Sequence, residues 1–156
     1  MTTNPNGRTM KAIAFSKHGK PTQLKKMDVP YPHGFDASNN VVIKVHASSV
    51  NPVDKALLSG DLKMLVPVAS FPHVISYDVS GIVEEADANG KFSVGQSVFA
   101  RLFGDEDDGK KTPWFRGAMA EYCVAHSSNV VVKPDNLTFA EAASIPLVGM
   151  TALQVL

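Results

Sequence analysis

The stretch 41–54 constrains the fold more than any other part of the chain, because it predicts a strand running directly into a helix. Apolar and polar residues alternate through its first half, which is typical of a half-buried strand. Asn51 suits the position that caps a helix, Pro52 the first helical position, and Asp54 the third, where a carboxylate meets the positive helix end. Gly60 then ends the predicted helix. Such a junction either holds part of a ligand or simply caps the helix, and local physics favours the cap.

Short strands separated by turn residues make up most of the remaining chain. Glycine, proline and asparagine punctuate short runs that carry β-branched and other apolar side chains. Many short strands of this kind predict a mainly β fold, consistent with a barrel. Gly81, inside one such run, allows another group to approach its backbone closely. Besides 41–47, the predicted strands are residues 11–16, 24–29, 79–86, 97–102, 117–125 and 129–133.

Three segments lack a periodic pattern and are predicted to be irregular. Residues 1–9 offer no apolar periodicity and are predicted to form a flexible tail. Residues 61–71 are apolar without a clean period, and we interpret them as a loop over the mouth of a site. The charged run 104–111 is typical of a solvated loop rather than of a binding segment.

The end of the chain is predicted to be helical. Thr138 and Glu141 have capping-box spacing, so a helix is expected to begin near Phe139. Pro146 must interrupt or restart that helix. The second helical pattern runs to Leu156 without a glycine or a polar cap, which predicts a chain truncated before a further domain.

Length and composition exclude several classes of protein. The 156 residues suit a single domain that can bury a sizeable core. Fifteen basic and fifteen acidic residues cancel, which argues against nucleic acid or an anionic membrane as a partner. No apolar run approaches the roughly 20 residues of a spanning helix, and the polar N-terminus lacks a secretory signal. The lone Cys123 excludes an internal disulfide framework, so we predict a cytoplasmic protein.

Three motifs carry a resemblance to a known family. They are VNPVDKALLSG at 50–60, FPHVISYDVSGIV at 71–83, and GAMAEYCVAHSSNVVVKPDNLTFAEAASIPLVGMTAL at 117–153. In order and spacing they resemble the medium-chain dehydrogenase/reductase superfamily, and within it the zinc-free quinone oxidoreductase and alkenal reductase branch. The similarity extends from about residue 10 to the end of the chain.

The resemblance implies a fold and a division of the chain. Residues 10–135 would form a GroES-like catalytic domain, a β-barrel with a few short helices. Residues 136–156 would be a helical segment leading to a nucleotide-binding Rossmann domain. No G-x-G-x-x-G occurs in the sequence, so that domain is expected to be absent from this chain.

The resemblance also predicts that no metal is bound. In zinc-dependent members of the superfamily, a cysteine stands where this sequence has Asn51 and a histidine where it has Tyr77. Neither an amide nor a phenol is a usual zinc ligand. The five histidines show no ligand spacing, and a single cysteine cannot build a four-cysteine structural site.

Without zinc, the chemistry implied by the resemblance comes from NADPH, which gives hydride to a quinone or an α,β-unsaturated carbonyl compound. Asn51 and Tyr77 are the predicted catalytic residues; Asn51, Asp54 and Thr151 are predicted to contact the cofactor. Each has a structural alternative: Asn51 as a helix cap, Asp54 as a support of the junction, Tyr77 as an anchor beneath the barrel, and Thr151 as a helix-facing hydroxyl.

Two further expectations follow from the resemblance. Ser76 stands where the motif more usually has glycine, and this departure bears on the local backbone around Tyr77. The family allows a homodimer of the full-length protein. The alternative to an enzyme is a non-catalytic GroES-like module, or a structural protein of the lens-crystallin kind that kept the fold.

Overall fold

The computed structural model describes residues 7–65, 68, 70–102 and 117–156, and these form two antiparallel sheets with three helices. The strands are β1 Thr9–Phe15, β2 Lys25–Pro30, β3 Asn40–Ser49, β4 His73–Val74, β5 Asp78–Glu85, β6 Ser97–Arg101, β7 Tyr122–His126 and β8 Val130–Val132. The helices are α1 Pro52–Ser59, α2 Phe139–Ala143 and α3 Pro146–Val155.

The larger sheet has five strands in the order β7-β3-β5-β6-β8, and the smaller has three in the order β2-β1-β4. β3 is central in the larger sheet: it pairs with β5 along most of its length and with β7 along its first half. Since β3 leads directly into α1, the start of this helix lies beside the first residues of β5, where Ser49 pairs with Asp78.

The main core lies against the five-stranded sheet. Alternate residues of its strands point inward, as the apolar-polar alternation of the sequence predicts, and α1 adds Leu57 to the same cluster. The fully buried members include Val41, Ile43, Val79, Val98 and Cys123. Burial raises the pKa of the Cys123 thiol, so this cysteine packs as a small apolar side chain.

Most predicted strands are confirmed, and the strand predicted at 117–125 is corrected. In the structure β7 begins at Tyr122, because the chain before it leaves β3 and runs beside β1 instead. There the Ile13 N–H donates to the Met119 carbonyl at 2.7 Å, and Ala12 forms an isolated bridge with Ala120. The two-residue strand β4 was not predicted.

Other predictions lie partly or wholly outside the described residues. The charged run 104–111 falls there entirely, as do residues 1–6 of the predicted tail; β1 already begins at Thr9. The loop 61–71 is described only in part, with turns over 61–65. Within the described part of the chain, no helix combines the length and the apolar content needed to cross a membrane.

Candidate functional site

The predicted junction between β3 and α1 is present, and Asn51 stands at the cap of α1. The Asp54 carboxylate accepts the Asn51 backbone N–H at 2.7 Å, which is one half of a capping box. The other half is imperfect: the Asn51 side chain approaches the Asp54 N–H without hydrogen-bond geometry, and that N–H donates to the Asn51 backbone carbonyl at 3.0 Å. Gly60 closes the helix in the left-handed conformation, as predicted.

The nitrogen of the Asn51 side-chain amide points into the protein. Its Nδ2 donates to Asp78 Oδ2 at 2.9 Å and to Ser49 Oγ at 3.2 Å. The Ser49 hydroxyl in turn donates to Asp78 Oδ2 at 2.9 Å, so the three side chains form a closed polar triangle. The nitrogen end of the Asn51 amide therefore faces two acceptors within the protein.

Asp54 is fully buried and joins two segments of backbone. Besides the Asn51 N–H, it accepts the Ser76 N–H at 3.0 Å. Burial raises the pKa of the Asp54 carboxyl despite these two bonds, and the nearby Asp78 acts in the same direction. With both oxygens occupied, Asp54 supports the shape of the junction.

Ser76 occupies the position where the motif more usually has glycine, and its backbone conformation explains why glycine is usual there. Its φ is +75°, in the left-handed region that costs a side-chain-bearing residue free energy. The serine side chain compensates in part, because its Oγ donates to the Ser49 carbonyl at 2.6 Å. Ser76 thus ties the segment before β5 to the end of β3.

The Asp78 carboxylate accepts hydrogen bonds from three parts of the site. It is fully buried at the start of β5, and its Oδ1 accepts the Leu147 N–H, in the first turn of α3, at 3.1 Å. Together with the bonds from Ser49 and Asn51, this carboxylate joins β3, the cap of α1 and the start of α3. A buried carboxylate requires such compensation, since its desolvation is otherwise costly.

Tyr77 lies beneath the junction rather than on an open surface. Only 4% of it is exposed, and it packs in the main core. Its hydroxyl is 2.9 Å from His73 Nε2, and burial, with Asp54 nearby, raises the pKa of the phenol. Burial lowers the pKa of His73 to about 4, and His73 Nδ1 has no hydrogen-bond partner among the described residues. The pair is therefore neutral near pH 7.

Thr151 is exposed in the middle of α3. Its Oγ1 donates to the Leu147 carbonyl one turn earlier at 2.8 Å, which is the helix-facing arrangement named as its alternative. Asp78 binds the N–H of the same Leu147, so Thr151 and Asn51 stand on segments that one carboxylate joins.

The donor set of the junction does not fit zinc. Its polar atoms are an amide, two serine hydroxyls and two carboxylates that already accept hydrogen bonds, whereas a zinc site gathers three or four convergent ligands. Among the residues that the structure describes, no three histidine, cysteine or carboxylate side chains converge on one point.

Sequence reasoning named Asn51, Asp54, Tyr77 and Thr151 but missed their partners. Asp78, Ser49 and His73 were not singled out as site residues. The one available signal was the Tyr-Asp-x-x-Gly motif, which contains Asp78 directly after Tyr77. An acidic residue in the first position of a strand whose first half is buried requires a partner.

Comparisons with known proteins identify the family of the chain and agree with its fold. Residues 37–135 match the family described as the alcohol dehydrogenase GroES-like domain. The human mitochondrial NAD(P)H oxidoreductase RTN4IP1 is 34% identical to this chain over an alignment 166 residues long. The alignment covers 97% of this chain and 39% of the relative. Because that relative is mitochondrial by name, the cytoplasmic location of this chain stays a prediction.

Solved structures give the same result. The quinone oxidoreductase from Coxiella burnetii superposes with a TM-score of 0.75 at 34% identity, over 94% of this chain and 44% of that one. A mycobacterial protein solved in complex with NADPH gives 0.74 at 32% identity, over 94% and 39%. The chain spans about two fifths of the length of these relatives. It belongs to the quinone oxidoreductase branch of the medium-chain dehydrogenase/reductase superfamily, and its mainly β fold is the GroES-like domain of that family.

Proposed function

We propose that this chain is the GroES-like catalytic part of an NADPH-dependent reductase that acts on quinones or α,β-unsaturated carbonyl compounds without zinc. The names of its relatives support the reaction class: they include a quinone oxidoreductase, an NAD(P)H oxidoreductase and a protein in complex with NADPH. The substrate would be a small molecule, and the cofactor would be bound mainly by a nucleotide-binding domain.

One observation carries the proposal. At the junction where zinc-dependent members of the superfamily have a cysteine, this chain has an asparagine whose amide is held in a buried triangle with Ser49 and Asp78. An amide fixed by a carboxylate is suited to orient a neutral ligand by hydrogen bonds, whereas it is a poor ligand for Zn²⁺. Tyr77, at the place of the histidine ligand, has its hydroxyl on His73.

The residues of this chain would act by holding and orienting. NADPH bound beside the junction would supply a hydride to the electron-poor carbon of a conjugated carbonyl compound. Asn51 and Thr151 would contact cofactor or substrate, Asp54 would keep the cap of α1 rigid, and Tyr77 would act through its hydroxyl. The buried, largely apolar surroundings of the junction would exclude water and strengthen each hydrogen bond.

The experiment uses a two-domain protein, defined as residues 1–156 followed by the nucleotide-binding domain that the family carries. Oxidation of NADPH is followed at 340 nm with a substituted benzoquinone and with an alkenal. We expect turnover of at least one of the two, whereas a non-catalytic or crystallin-like module would give none with either. Residues 1–156 alone are expected to bind NADPH weakly or not at all, because they lack the glycine-rich turn that receives the pyrophosphate.

A further inference from the structure

We infer that Asp78 is a positioning residue: its carboxylate holds the Asn51 amide with the nitrogen inward, so that the amide oxygen is the group left to a ligand. The inference rests on the proposed function for its kinetic consequence, whereas the orientation itself can be measured without any activity.

The first step concerns which end of the amide faces Asp78. An aspartate carboxylate offers only acceptors, so the group 2.9 Å from Asp78 Oδ2 must be the Asn51 nitrogen and cannot be its oxygen. Ser49 strengthens this choice, because its hydroxyl donates to the same Asp78 oxygen and a lone pair on its oxygen faces the amide nitrogen. Chemistry, rather than packing, therefore fixes the orientation of the amide.

The second step concerns what remains of the amide. The nitrogen faces two internal acceptors, Asp78 Oδ2 and Ser49 Oγ, so this end of the amide is turned into the protein. Within the described part of the chain, Asn51 Oδ1 accepts no hydrogen bond of good geometry, and its approach to the Asp54 N–H is imperfect. Asn51 is then an acceptor. The matching ligand group is a donor, such as a carboxamide N–H or the hydroxyl of a reduced quinone.

The third step connects this orientation to the rest of the site. Asp78 Oδ1 binds the Leu147 N–H at 3.1 Å, so the same carboxylate that orients Asn51 also places the first turn of α3. A negative group is favourable at that position because it meets the positive end of the helix. A change at Asp78 is thus expected to affect Asn51 and α3 together.

The orientation is tested by the hydrogen exchange of the Asn51 side-chain amide in ¹⁵N-labelled residues 1–156, with its signal identified by its loss in Asn51→Ser. We expect exchange at least about tenfold slower than for exposed asparagines, and a return to the exposed rate in Asp78→Asn. Asp87→Asn is the matched control. Asp87 is also buried and accepts two backbone N–H groups, but it lies beyond the other end of β5. Fast exchange in the wild type, or slow exchange retained in Asp78→Asn, overturns the inference.

An exchange of the two side chains provides a second test. The double variant Asn51→Asp with Asp78→Asn reverses the donor and the acceptor, keeps the charge and size of the pair, and again leaves an oxygen for the ligand. In the two-domain protein, Asp78→Asn should lower kcat by about tenfold, the double variant should recover to within about threefold, and Asp87→Asn should leave kcat unchanged.

The outcomes separate the two proposals. A double variant no better than Asp78→Asn, in folding and in kcat, overturns the role of Asp78. If Asp78→Asn does not fold, recovery of folding by the double variant supports the paired orientation. Absence of turnover in the wild type contradicts the proposed function, while the exchange measurement still decides the orientation of Asn51.

Discussion

At Ser76 the backbone conformation lowers the stability of the fold, whereas the side chain raises it. Its φ of +75° costs about 1–2 kcal/mol for a residue with a Cβ, a cost that glycine would not have. Its hydroxyl recovers part of this through the 2.6 Å bond to the Ser49 carbonyl, worth about 1 kcal/mol. Serine at this position therefore has a strained backbone, but it adds a hydrogen bond between the end of β3 and the segment before β5.

This balance predicts an order of stabilities. Ser76→Ala keeps the strained backbone and loses the hydroxyl, so it should destabilise the chain by about 1–2 kcal/mol. Ser76→Gly loses the hydroxyl but removes the strain, so it should cost less than Ser76→Ala by about 1 kcal/mol. Urea unfolding at pH 7 measures both. Equal stabilities, or a less stable glycine variant, would show that the positive φ is not the source of the cost.

Substitutions of Asn51 in the two-domain protein can distinguish a role in catalysis from a role in capping α1. If its amide oxygen accepts a hydrogen bond from cofactor or substrate, Asn51→Ala should lower turnover by about tenfold, because one such bond is worth roughly 1.4 kcal/mol. A cap alone would cost about 1 kcal/mol of stability with little kinetic effect. Asn51→Ser separates the two, because serine caps well but does not reach as far as an amide. Full turnover in Asn51→Ser would remove Asn51 from the site and leave it as a cap.

At the scale of the elements, the pairing of β3 with β5 determines the shape of the site. Gly81 on β5 pairs with Val45 on β3, and a Cβ at that glycine would stand 2.1 Å from the Lys44 carbonyl oxygen. The sequence prediction that Gly81 allows a close approach to its backbone is confirmed, and the approaching group is the backbone of β3. A rigid backbone atom cannot move aside, so the closeness of the strands depends on this glycine.

We therefore predict that Gly81→Ala destabilises the chain by about 3 kcal/mol or more. Gly90→Ala is the control: it has a positive φ of +72° but no heavy atom within 4 Å of its Cβ, so only backbone strain of about 1–2 kcal/mol is expected. Urea midpoints of the two variants make the comparison. A cost for Gly81→Ala no larger than for Gly90→Ala would mean that the strands separate easily.

Local sequence signals predicted some elements well and others poorly, for a physical reason. The caps of α1 and α2 lie within a few residues of the helices they start, so Asn51, Asp54, Thr138 and Glu141 were readable directly. β4 and the start of β7 depend on β1, which is distant in sequence. The segment before β7 runs beside β1, where the Ile13 N–H donates to the Met119 carbonyl and the Glu121 N–H to the Lys11 carbonyl, and no local pattern contains that information.

The same limit applies to the site. Asn51 and Asp54 were predicted because they belong to one turn of helix, whereas Asp78 enters only through the pairing of β5 with β3. Its bond to Leu147 joins residues 69 positions apart. The hydrogen bond between Tyr77 and His73 was also missed, although the two residues are only four positions apart. The chain between them is not a helix, so helical spacing does not predict their contact.

At the scale of the whole molecule, the buried His73 predicts a loss of stability in acid. Its folded pKa is about 4 and its ordinary value is 6.5, so between these values the unfolded chain binds a proton that the folded chain does not. The stabilisation from this residue is full above pH 6.5 and declines by about 3 kcal/mol as pH falls towards 4.

The measurement is the free energy of unfolding from pH 7 to pH 4.5. His73→Gln keeps a hydrogen-bond partner for Tyr77 but cannot titrate, so its stability should fall less over this interval than that of the wild type. His46→Gln, at an exposed histidine on β3, is the control and should follow the wild type. A wild-type pH dependence retained in His73→Gln would assign the acid sensitivity to other groups.

The central claim is that the junction around Asn51 serves a reductase that works without zinc. It is tested most directly by measuring metal content and quinone turnover on the same sample of the two-domain protein, before and after exhaustive chelation. We predict less than about one tenth of a zinc ion per chain, with NADPH-dependent turnover of the quinone unchanged by the chelator. Stoichiometric zinc whose removal abolishes turnover, and whose return restores it, would contradict the claim.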